Sequence, residues 1–331
     1  MNNCRNQKGM IIHPGAIGDC LLSLPLASWL KQVLGISQVD WIGRTEYVDF
    51  YPGRTAIDRV CSMELIPFHR FFQPAENFEI TDGDPLLRVF TGYEQIISFL
   101  GSDDPHFEQN LLYAIHCCQS AQVIMLSLDN KNWTGHISRY YLGRTIVENE
   151  ISSGDWQPPA RLIDPFPSDF SAGRELVENL GINPDTSIIL IHPGSGGVQK
   201  CWAFENFRLL SEQIREDGHE IIFLLGQAEE DRFGLEILKI INNLPVLSGL
   251  SLTQVLQVLA CSDGYIGNDS GISHLAAAMG KPTLAVFGPT NPAKFAPLGL
   301  KIRILQIDPS SFYQFSEQNV AEARKLLLEI L

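Results

Sequence analysis

The sequence has few of the features that would indicate a membrane or secreted protein. No apolar run approaches the roughly 18 to 20 residues that a membrane-spanning helix requires. The first ten residues, MNNCRNQKGM, lack the long apolar region of a signal peptide. We therefore expect a cytoplasmic protein.

Positive charge is also scarce. The 24 Lys and Arg residues are outnumbered by 38 Asp and Glu residues, which gives a formal net charge of -14. Proteins that bind nucleic acid broadly normally present a basic face, so this balance argues against a nucleic-acid partner. An anionic ligand would have to be bound by a local site.

The seven cysteines have no regular spacing, and no Cys-x-x-Cys occurs that would suggest zinc or redox chemistry. We expect reduced, mostly buried thiols, with Cys117 and Cys118 in the core. Nucleotide-binding motifs are missing as well, because neither GAIGD nor GSGGVQK fits the dinucleotide fingerprint or the P-loop.

One spacing could indicate a metal. Asp82 and Asp84 stand in TDGDP with the acid-x-acid spacing that metal-dependent sugar transferases use to hold a divalent ion. The same residue types favour turns, and the stretch precedes Pro85. We therefore interpret it as a turn and predict no metal site.

The chain contains one phrase twice. Residues 10–19 read MIIHPGAIGD and residues 189–197 read ILIHPGSGG, so each half has an apolar strand, His-Pro-Gly and a glycine-rich turn. Strand-length and helix-length stretches alternate along most of the chain, which is typical of a parallel sheet flanked by helices. At 331 residues two domains are expected.

The predicted fold class is therefore α/β, with two doubly wound Rossmann-like domains at 1–160 and 161–331. They would face each other across a cleft, with ligands at the carboxyl ends of the strands. A proline-rich linker, SSGDWQPPARLIDPFPSDF, separates them. The last 15 residues form a predicted helix that could pack on either domain.

Two regions depart from the pattern. Pro25 is expected to bend the first helix or to break it after its first turn. Between 60 and 92 the periodicity fades, so we predict loops and short helices near the surface.

The stretch GNDSGISHL resembles an anion site. A helix start preceded by glycine offers unpaired backbone N–H groups and a positive dipole end. Asp269 or Ser270 can cap this helix, Gly271 allows close approach, and His274 lies in the first turn, where it can reach a phosphate. The alternative is a capped helix with a satisfied polar histidine.

Lys200 follows the second glycine loop and can meet a phosphate held over that loop. The alternative is a solvated surface lysine. Asp19 follows Gly18 at the start of the first helix, where a carboxylate commonly caps the helix or meets its dipole. It could also act as a general base on a hydroxyl, although the residues alone favour the cap.

These motifs together resemble glycosyltransferase family 9, the heptosyltransferases of the lipopolysaccharide inner core. The resemblance rests on five segments in series: HPGAIGDCLLSLPLASWLK, HISRYYLG, IHPGSGGVQKCWAFENFRLLSEQI, LLGQAEED and YIGNDSGISHLAAAMGKPTLAVFGPTNP. It implies a GT-B fold and an inverting reaction that needs no metal or other cofactor. The implied donor is ADP-heptose and the implied acceptor is a glycan or lipid-linked glycan, which would bring the protein to the inner face of the membrane.

By position, the resemblance implies that Asp19 is the base, that Lys200 meets the donor phosphates and that Glu229 holds donor hydroxyls. Glu230 stands beside Glu229, so the sequence leaves open which of the two contacts the donor. The remaining implied site residues are Ser195, Gly196, Asp269, Ser270, Gly271 and His274 for the donor, and Gly18 and Arg139 for the acceptor. Ala203 departs from the family, which has proline there, and this loosens a helix start.

Two other functions stay open at this point. A sugar-nucleotide epimerase of the same architecture would turn over the donor without an acceptor. A non-catalytic nucleotide-sugar binding module would tolerate the loss of Asp19. The sequence alone determines neither the sugar, the base and the acceptor nor the oligomeric state.

Overall fold

The computed structural model describes residues 7–118, 121–151, 156–226 and 244–331. The chain divides into two compact units, Met1–Pro159 and Ala160–Leu331, called here the N-terminal and the C-terminal unit. Each unit is a parallel sheet with helices. The predicted α/β class is confirmed.

The N-terminal unit has a five-stranded sheet in the order β3-β2-β1-β4-β5. Its strands are β1 (Lys8–Ile12), β2 (Gln38–Gly43), β3 (Arg59–Ser62), β4 (Gln95–Ser98) and β5 (Gln122–Met125). Its helices are α1 (Ile17–Gln32), α2 (Thr45–Val48), α3 (Pro85–Phe90), α4 (Pro105–Cys118) and α5 (Ile137–Glu148), with 3₁₀ turns at Met63–Leu65, Phe68–Phe72 and Ala75–Asn77.

The C-terminal unit has a six-stranded sheet in the order β11-β10-β9-β6-β7-β8. Its strands are β6 (Ile188–His192), β7 (Glu220–Leu225), β8 (Val246–Ser248), β9 (Gly264–Asn268), β10 (Thr283–Phe287) and β11 (Ile302–Gln306). The described helices are α6 (Pro167–Glu178), α7 (Phe204–Glu216), α8 (Leu252–Cys261), α9 (Gly271–Ala278), α10 (Pro292–Phe295) and α11 (Glu317–Leu328), with a 3₁₀ turn at Val198–Lys200.

Helix α1 runs through Pro25 without a break. An internal proline costs about 3 kcal/mol because it removes one backbone hydrogen bond. Every residue from Cys20 to Leu30 is buried, so packing on all sides of α1 offsets that cost. The predicted break is therefore wrong.

The stretch 60–92 does consist of short helices and loops, but it is not only a surface feature. Its aromatic and aliphatic side chains are buried in the core of the N-terminal unit together with Met10 and Ile12 of β1, namely Phe68, Phe71, Phe78, Leu86 and Phe90. Because the backbone is irregular here, the apolar residues do not recur at helix or strand spacing. The hydrophobic pattern of the sequence therefore could not predict their burial.

The proline-rich stretch is shorter than predicted, because α6 begins at Pro167. Proline is tolerated at the first helical position, where its missing N–H would have no partner. The terminal helix α11 packs against α7 and β11 of its own unit. The helix predicted for EEDRFGLEILKIINN, which contains Glu229 and Glu230, lies outside the described residues.

All six described cysteines are free, but only Cys20 and Cys201 are buried. The expectation of mostly buried thiols is wrong. Cys117 is exposed and Cys118 is half-buried at the end of α4, because consecutive residues on a helix point in different directions. No helix among the described residues is long and apolar enough to span a membrane.

Each sheet reverses its strand order once. In the N-terminal unit the reversal lies between β1 and β4, and in the C-terminal unit it lies between β6 and β9. At such a point the loops that follow the two strands diverge and leave a crevice at the carboxyl ends. Both copies of the repeated phrase follow a strand at its reversal point, so each unit has one candidate half-site there.

Candidate active site

The N-terminal half-site is organised around His13, which follows β1 and is fully buried. Its Nδ1 accepts a hydrogen bond from the Gly15 N–H at 3.2 Å. The ring stacks on Trp41 at 5.2 Å between centroids and lies against Phe99 at 4.5 Å. Burial lowers the pKa of His13 to about 3, so the ring is a neutral acceptor that holds the glycine turn.

Gly15 stands where His13 and Asp19 come close. A Cβ at this position would lie 2.7 Å from His13 Cε1 and 2.9 Å from Asp19 Cβ. No real side chain tolerates such contacts, so glycine is required there. The turn therefore holds the imidazole, the backbone and the Asp19 side chain in one packed arrangement.

Asp19 does cap α1, as the residues alone favoured. Its Oδ2 accepts a hydrogen bond from the Ala16 N–H at 3.3 Å. The side chain is only partly buried, so the cap does not remove it from solvent. A partly exposed carboxylate that accepts one hydrogen bond can still take a proton, so the cap does not exclude the predicted base role.

Tyr141 on α5 connects Asp19 with a third loop. Its hydroxyl donates to the Leu128 carbonyl at 2.9 Å. Burial, and then the negative charges of Asp19 and Asp129, raise the pKa of Tyr141. Tyr141 therefore lies near both Asp19 and the loop after β5, a proximity that no local sequence pattern could predict.

A cavity of about 540 Å³ opens at the same edge of the N-terminal sheet. It is lined by the ends of three strands and one loop, namely Pro14, Phe72, residues 99–104, residues 127–129 and Lys131. We call it the N-terminal cavity. Arg139, predicted to meet the acceptor, is exposed on α5 and is not one of its lining residues.

The C-terminal half-site contains an ion pair between two loops. Lys200 Nζ, after β6, donates to Asp269 Oδ2, after β9, at 2.8 Å. Thr290 Oγ1, after β10, donates to the same carboxylate oxygen at 2.7 Å. The carboxylate is almost fully buried, whereas about a third of the Lys200 side chain is exposed.

Asp269 keeps its charge in this setting. Burial alone would raise its pKa, but the neighbouring His274, Lys200 and Thr290 side chains hold it at about 2. His274 Nε2 lies 3.8 Å from Asp269 Oδ1, beyond hydrogen-bond distance. The Asp269 carboxylate thus holds Lys200 and Thr290 in place through its hydrogen bonds.

Ser270, not Asp269, caps α9. Its Oγ accepts a hydrogen bond from the Ser273 N–H at 3.4 Å. His274 is buried in the first turn of α9, and its Nδ1 has no hydrogen-bond partner within the described ranges. A Cβ on Gly196 would meet nothing within 4 Å, so the loop before Lys200 is open on that side.

Two polar residues fix the C-terminal loops against each other. Ser195 Oγ donates to the Asp269 carbonyl at 2.7 Å. The fully buried Asn268 donates to the Pro193 carbonyl at 2.7 Å and accepts from the Trp202 N–H at 2.9 Å. Asn268 and Thr290 were not predicted as site residues, although both stand in the segments that carry the family resemblance.

A smaller apolar cavity of about 170 Å³ lies at the carboxyl ends of β6, β7 and β8. Its lining is aliphatic apart from His192, and consists of Leu224, Leu225, Gly226, Leu247, Leu250, Leu252, Val255 and Ile272. It has the character of a site for a flat, weakly polar group. Ile272 places it beside the start of α9.

Asp84, one member of the acid-x-acid pair, has a structural role. Arg70 donates to both carboxylate oxygens of Asp84, at 2.9 and 2.8 Å, and this lowers the pKa of Asp84. Asp84 also caps α3 through the Leu86 N–H at 3.0 Å. Among the described residues, no group of three or more His, Cys, Asp and Glu side chains is arranged to hold a metal.

Two parallel-sheet α/β units, each with a glycine-rich loop at its strand reversal, have the architecture of the GT-B glycosyltransferases. Residues 169–324 match the family described as Glycosyltransferase family 9 (heptosyltransferase). Lipopolysaccharide heptosyltransferase 1 of Salmonella typhimurium is 30% identical over 297 residues, which cover 86% of this chain and 89% of that protein. The chain belongs to glycosyltransferase family 9, as predicted.

Other relatives match over shorter stretches. Lipopolysaccharide heptosyltransferase 2 of the same organism is 28% identical over 139 residues, 40% of each chain. This chain spans 33% and 34% of the lengths of two further lipopolysaccharide heptosyltransferases that it matches. The structure of the Escherichia coli ADP-heptose lipopolysaccharide heptosyltransferase II superposes with a TM-score of 0.70 at 20% identity, over 98% of this chain and 99% of that one. The predicted GT-B fold is confirmed.

Proposed function

We propose that this chain is an inverting, metal-independent glycosyltransferase that moves a heptose from ADP-heptose to a hydroxyl of a glycan or lipopolysaccharide-core acceptor. Family membership supports sugar transfer. The donor is suggested by the relative whose structure is described as an ADP-heptose heptosyltransferase.

The ion pair of Lys200 with Asp269 carries the proposal on the donor side. Asp269 fixes the ammonium at the strand reversal, and the exposed part of Lys200 leaves N–H groups for a phosphate. The start of α9 adds backbone donors and a positive dipole end. These groups stabilise the negative charge that develops on a departing diphosphate.

The apolar cavity beside α9 is assigned to the nucleobase. A purine is flat and largely apolar, and aliphatic side chains such as Leu225 and Leu247 suit its faces. With the base there, a diphosphate extends along α9 toward Ser270 and Lys200. The contact of Glu229 with donor hydroxyls remains part of this proposal.

Asp19 supplies the base on the acceptor side. Its carboxylate takes the proton of the acceptor hydroxyl while that oxygen attacks the anomeric carbon. The bond from this carbon to the diphosphate oxygen breaks, and ADP leaves with the electron pair. A single displacement of this kind inverts the anomeric configuration.

The decisive experiment is Asp19→Asn. The asparagine Oδ1 can still accept from the N–H of Ala16, the N-cap residue of α1, so the hydrogen bond of the first turn is kept. The negative charge and the basicity are lost, so turnover should fall by about 10²- to 10⁴-fold. The melting temperature and the affinity for ADP should stay at the wild-type values.

Glu148→Gln, at a half-exposed carboxylate on α5, is the matched control and should keep full turnover. Near-normal turnover of Asp19→Asn would reduce Asp19 to a helix cap and refute the mechanism. Consumption of ADP-heptose without any acceptor and without sugar transfer would instead favour an epimerase.

A further inference from the structure

We infer that Tyr313 is a positioning residue for Lys200. Tyr313 stands in the loop at 307–316, between β11 and α11, which we call the β11–α11 loop. The inference rests on the proposed function, because it takes Lys200 as a contact of the donor diphosphate. The loop lies outside the five segments that carry the family resemblance, so no sequence motif pointed to it.

The turn that carries Lys200 is short and follows two glycines. It is a 3₁₀ turn at Val198–Lys200, closed by backbone hydrogen bonds from the Lys200 N–H to the Gly197 carbonyl at 2.9 Å and from the Cys201 N–H to the Val198 carbonyl at 3.1 Å. Glycine loses more conformational freedom on folding than any other residue. The position of the Lys200 ammonium therefore depends on contacts from outside the turn.

Tyr313 provides such a contact. Its hydroxyl donates to the carbonyl of Gln199, the residue before Lys200, at 2.9 Å. The Tyr313 side chain is 54% exposed, but its ring contacts the edge of Phe312 at 5.4 Å between centroids. Phe312 is fully buried in the core of the C-terminal unit. The hydrogen bond to Gln199 thus connects the 3₁₀ turn to a residue whose neighbour is fixed by the core.

A second contact joins the β11–α11 loop to the start of α7. Asn206 is fully buried, and its Nδ2 donates to the Gln314 carbonyl at 3.0 Å. Its Oδ1 accepts from the Ser316 N–H at 2.8 Å. The segment that contains Lys200 is therefore bonded to this loop at both ends, at Gln199 before the lysine and at Asn206 after it.

The same loop also contacts the segment after β10. A Cβ on Gly288 would lie 2.5 Å from the ring of Phe312, so this ring lies directly against the glycine backbone. Thr290 follows in that segment and donates to Asp269 Oδ2, the oxygen that also accepts from Lys200. The β11–α11 loop therefore contacts both segments whose side chains meet on this oxygen.

A cation that is held in place before the ligand arrives loses less freedom on binding, and this favours affinity. Tyr313→Phe removes the hydroxyl and keeps the ring. Lys200 would then be held less firmly, and the dissociation constant for ADP should rise about three- to tenfold, the effect of one hydrogen bond.

A double-mutant cycle tests whether the effect passes through Lys200. The dissociation constant for ADP is measured by titration calorimetry on the full chain, for the wild type, Tyr313→Phe, Lys200→Met and the double variant. In the Lys200→Met background, Tyr313→Phe should change the affinity by about twofold at most, because the group that it positions is gone. A purely structural effect on the loop would weaken binding equally in both backgrounds.

Tyr113→Phe is the matched control. It removes the hydroxyl of a tyrosine on α4 of the N-terminal unit that is 51% exposed, and it should bind ADP as the wild type does.

Two results would overturn the inference alone, provided that Lys200→Met weakens ADP binding. One is a wild-type dissociation constant in Tyr313→Phe. The other is an equal loss of affinity on Tyr313→Phe in both backgrounds. Wild-type affinity of Lys200→Met for ADP would instead reject the proposed donor site, and the positioning role of Tyr313 would fall with it.

Discussion

Acidification should destabilise the N-terminal unit through one residue, His13. In the folded protein its Nδ1 accepts the Gly15 N–H, and its ring is enclosed by Trp41 and Phe99. Protonation would place a second hydrogen against that N–H and a charge at a fully buried position. The unfolded chain binds this proton readily, and the folded chain does not.

The magnitude follows from the two pKa values. Burial lowers the pKa of His13 from 6.5 to about 3, a difference of roughly 3.5 units, which corresponds to at most about 5 kcal/mol at about 1.4 kcal/mol per unit. Because the folded pKa is the lower one, this stability is fully present above pH 6.5 and is lost as the pH falls toward 3. A domain is typically stable by about 5 to 15 kcal/mol, so the loss would be large.

Urea unfolding between pH 7.5 and 4 measures the free energy of unfolding at each pH. Near-ultraviolet circular dichroism reports on the packing of Trp41. The matched variant is His13→Asn, whose Oδ1 can replace Nδ1 as the acceptor for Gly15 but does not titrate. We expect lower stability of the variant at pH 7.5 and a much flatter dependence on pH. A wild-type free energy of unfolding that is constant over this range, or the same slope in both proteins, would refute the reasoning.

Two further predictions concern the donor and the metal. Lys200→Met should weaken ADP binding about ten- to a hundredfold in calorimetry, since it removes a charge-assisted contact of about 1.5 to 3 kcal/mol; an unchanged dissociation constant would remove Lys200 from the site. EDTA should leave turnover intact, and so should Asp82→Asn. Asp84→Asn should lower the melting temperature, because it breaks the bidentate pair with Arg70. Turnover per folded molecule should not change. Activity that EDTA abolishes and magnesium restores would contradict the prediction of a metal-independent reaction.

The parts of the fold that could be predicted are those in which local pattern and tertiary role agree. Strands β1, β6, β9 and β10 are short apolar runs that end in glycine or polar loops, and the sequence places each of them. Helix α7 was predicted in the same way from its 3.6-residue period. Buried strands and amphipathic helices can be recognised from residues that are neighbours in the sequence.

The parts that could not be predicted depend on contacts between distant residues. The stretch 60–92 has no period, yet Phe71 and Phe90 are completely buried. The pairing of Lys200 with Asp269 joins residues that are 69 positions apart. Sequence motifs brought both residues into one site but assigned both to the donor, and only the structure shows that one neutralises and positions the other.

The repeated His-Pro-Gly phrase shows the same division between local and distant contacts. In the first copy the turn is closed from within, because His13 accepts from Gly15 two residues on. Helix α1 can then start at once, with its carboxylate Asp19 in the first turn.

In the second copy the turn is held from outside, by Asn268 of β9 on the Pro193 carbonyl. Helix α7 starts only at Phe204, and the 3₁₀ turn between this contact and the helix ends at Lys200. The same phrase therefore leads to an anion, Asp19, in the first turn of a helix in one unit, and to a cation, Lys200, at the end of a 3₁₀ turn in the other.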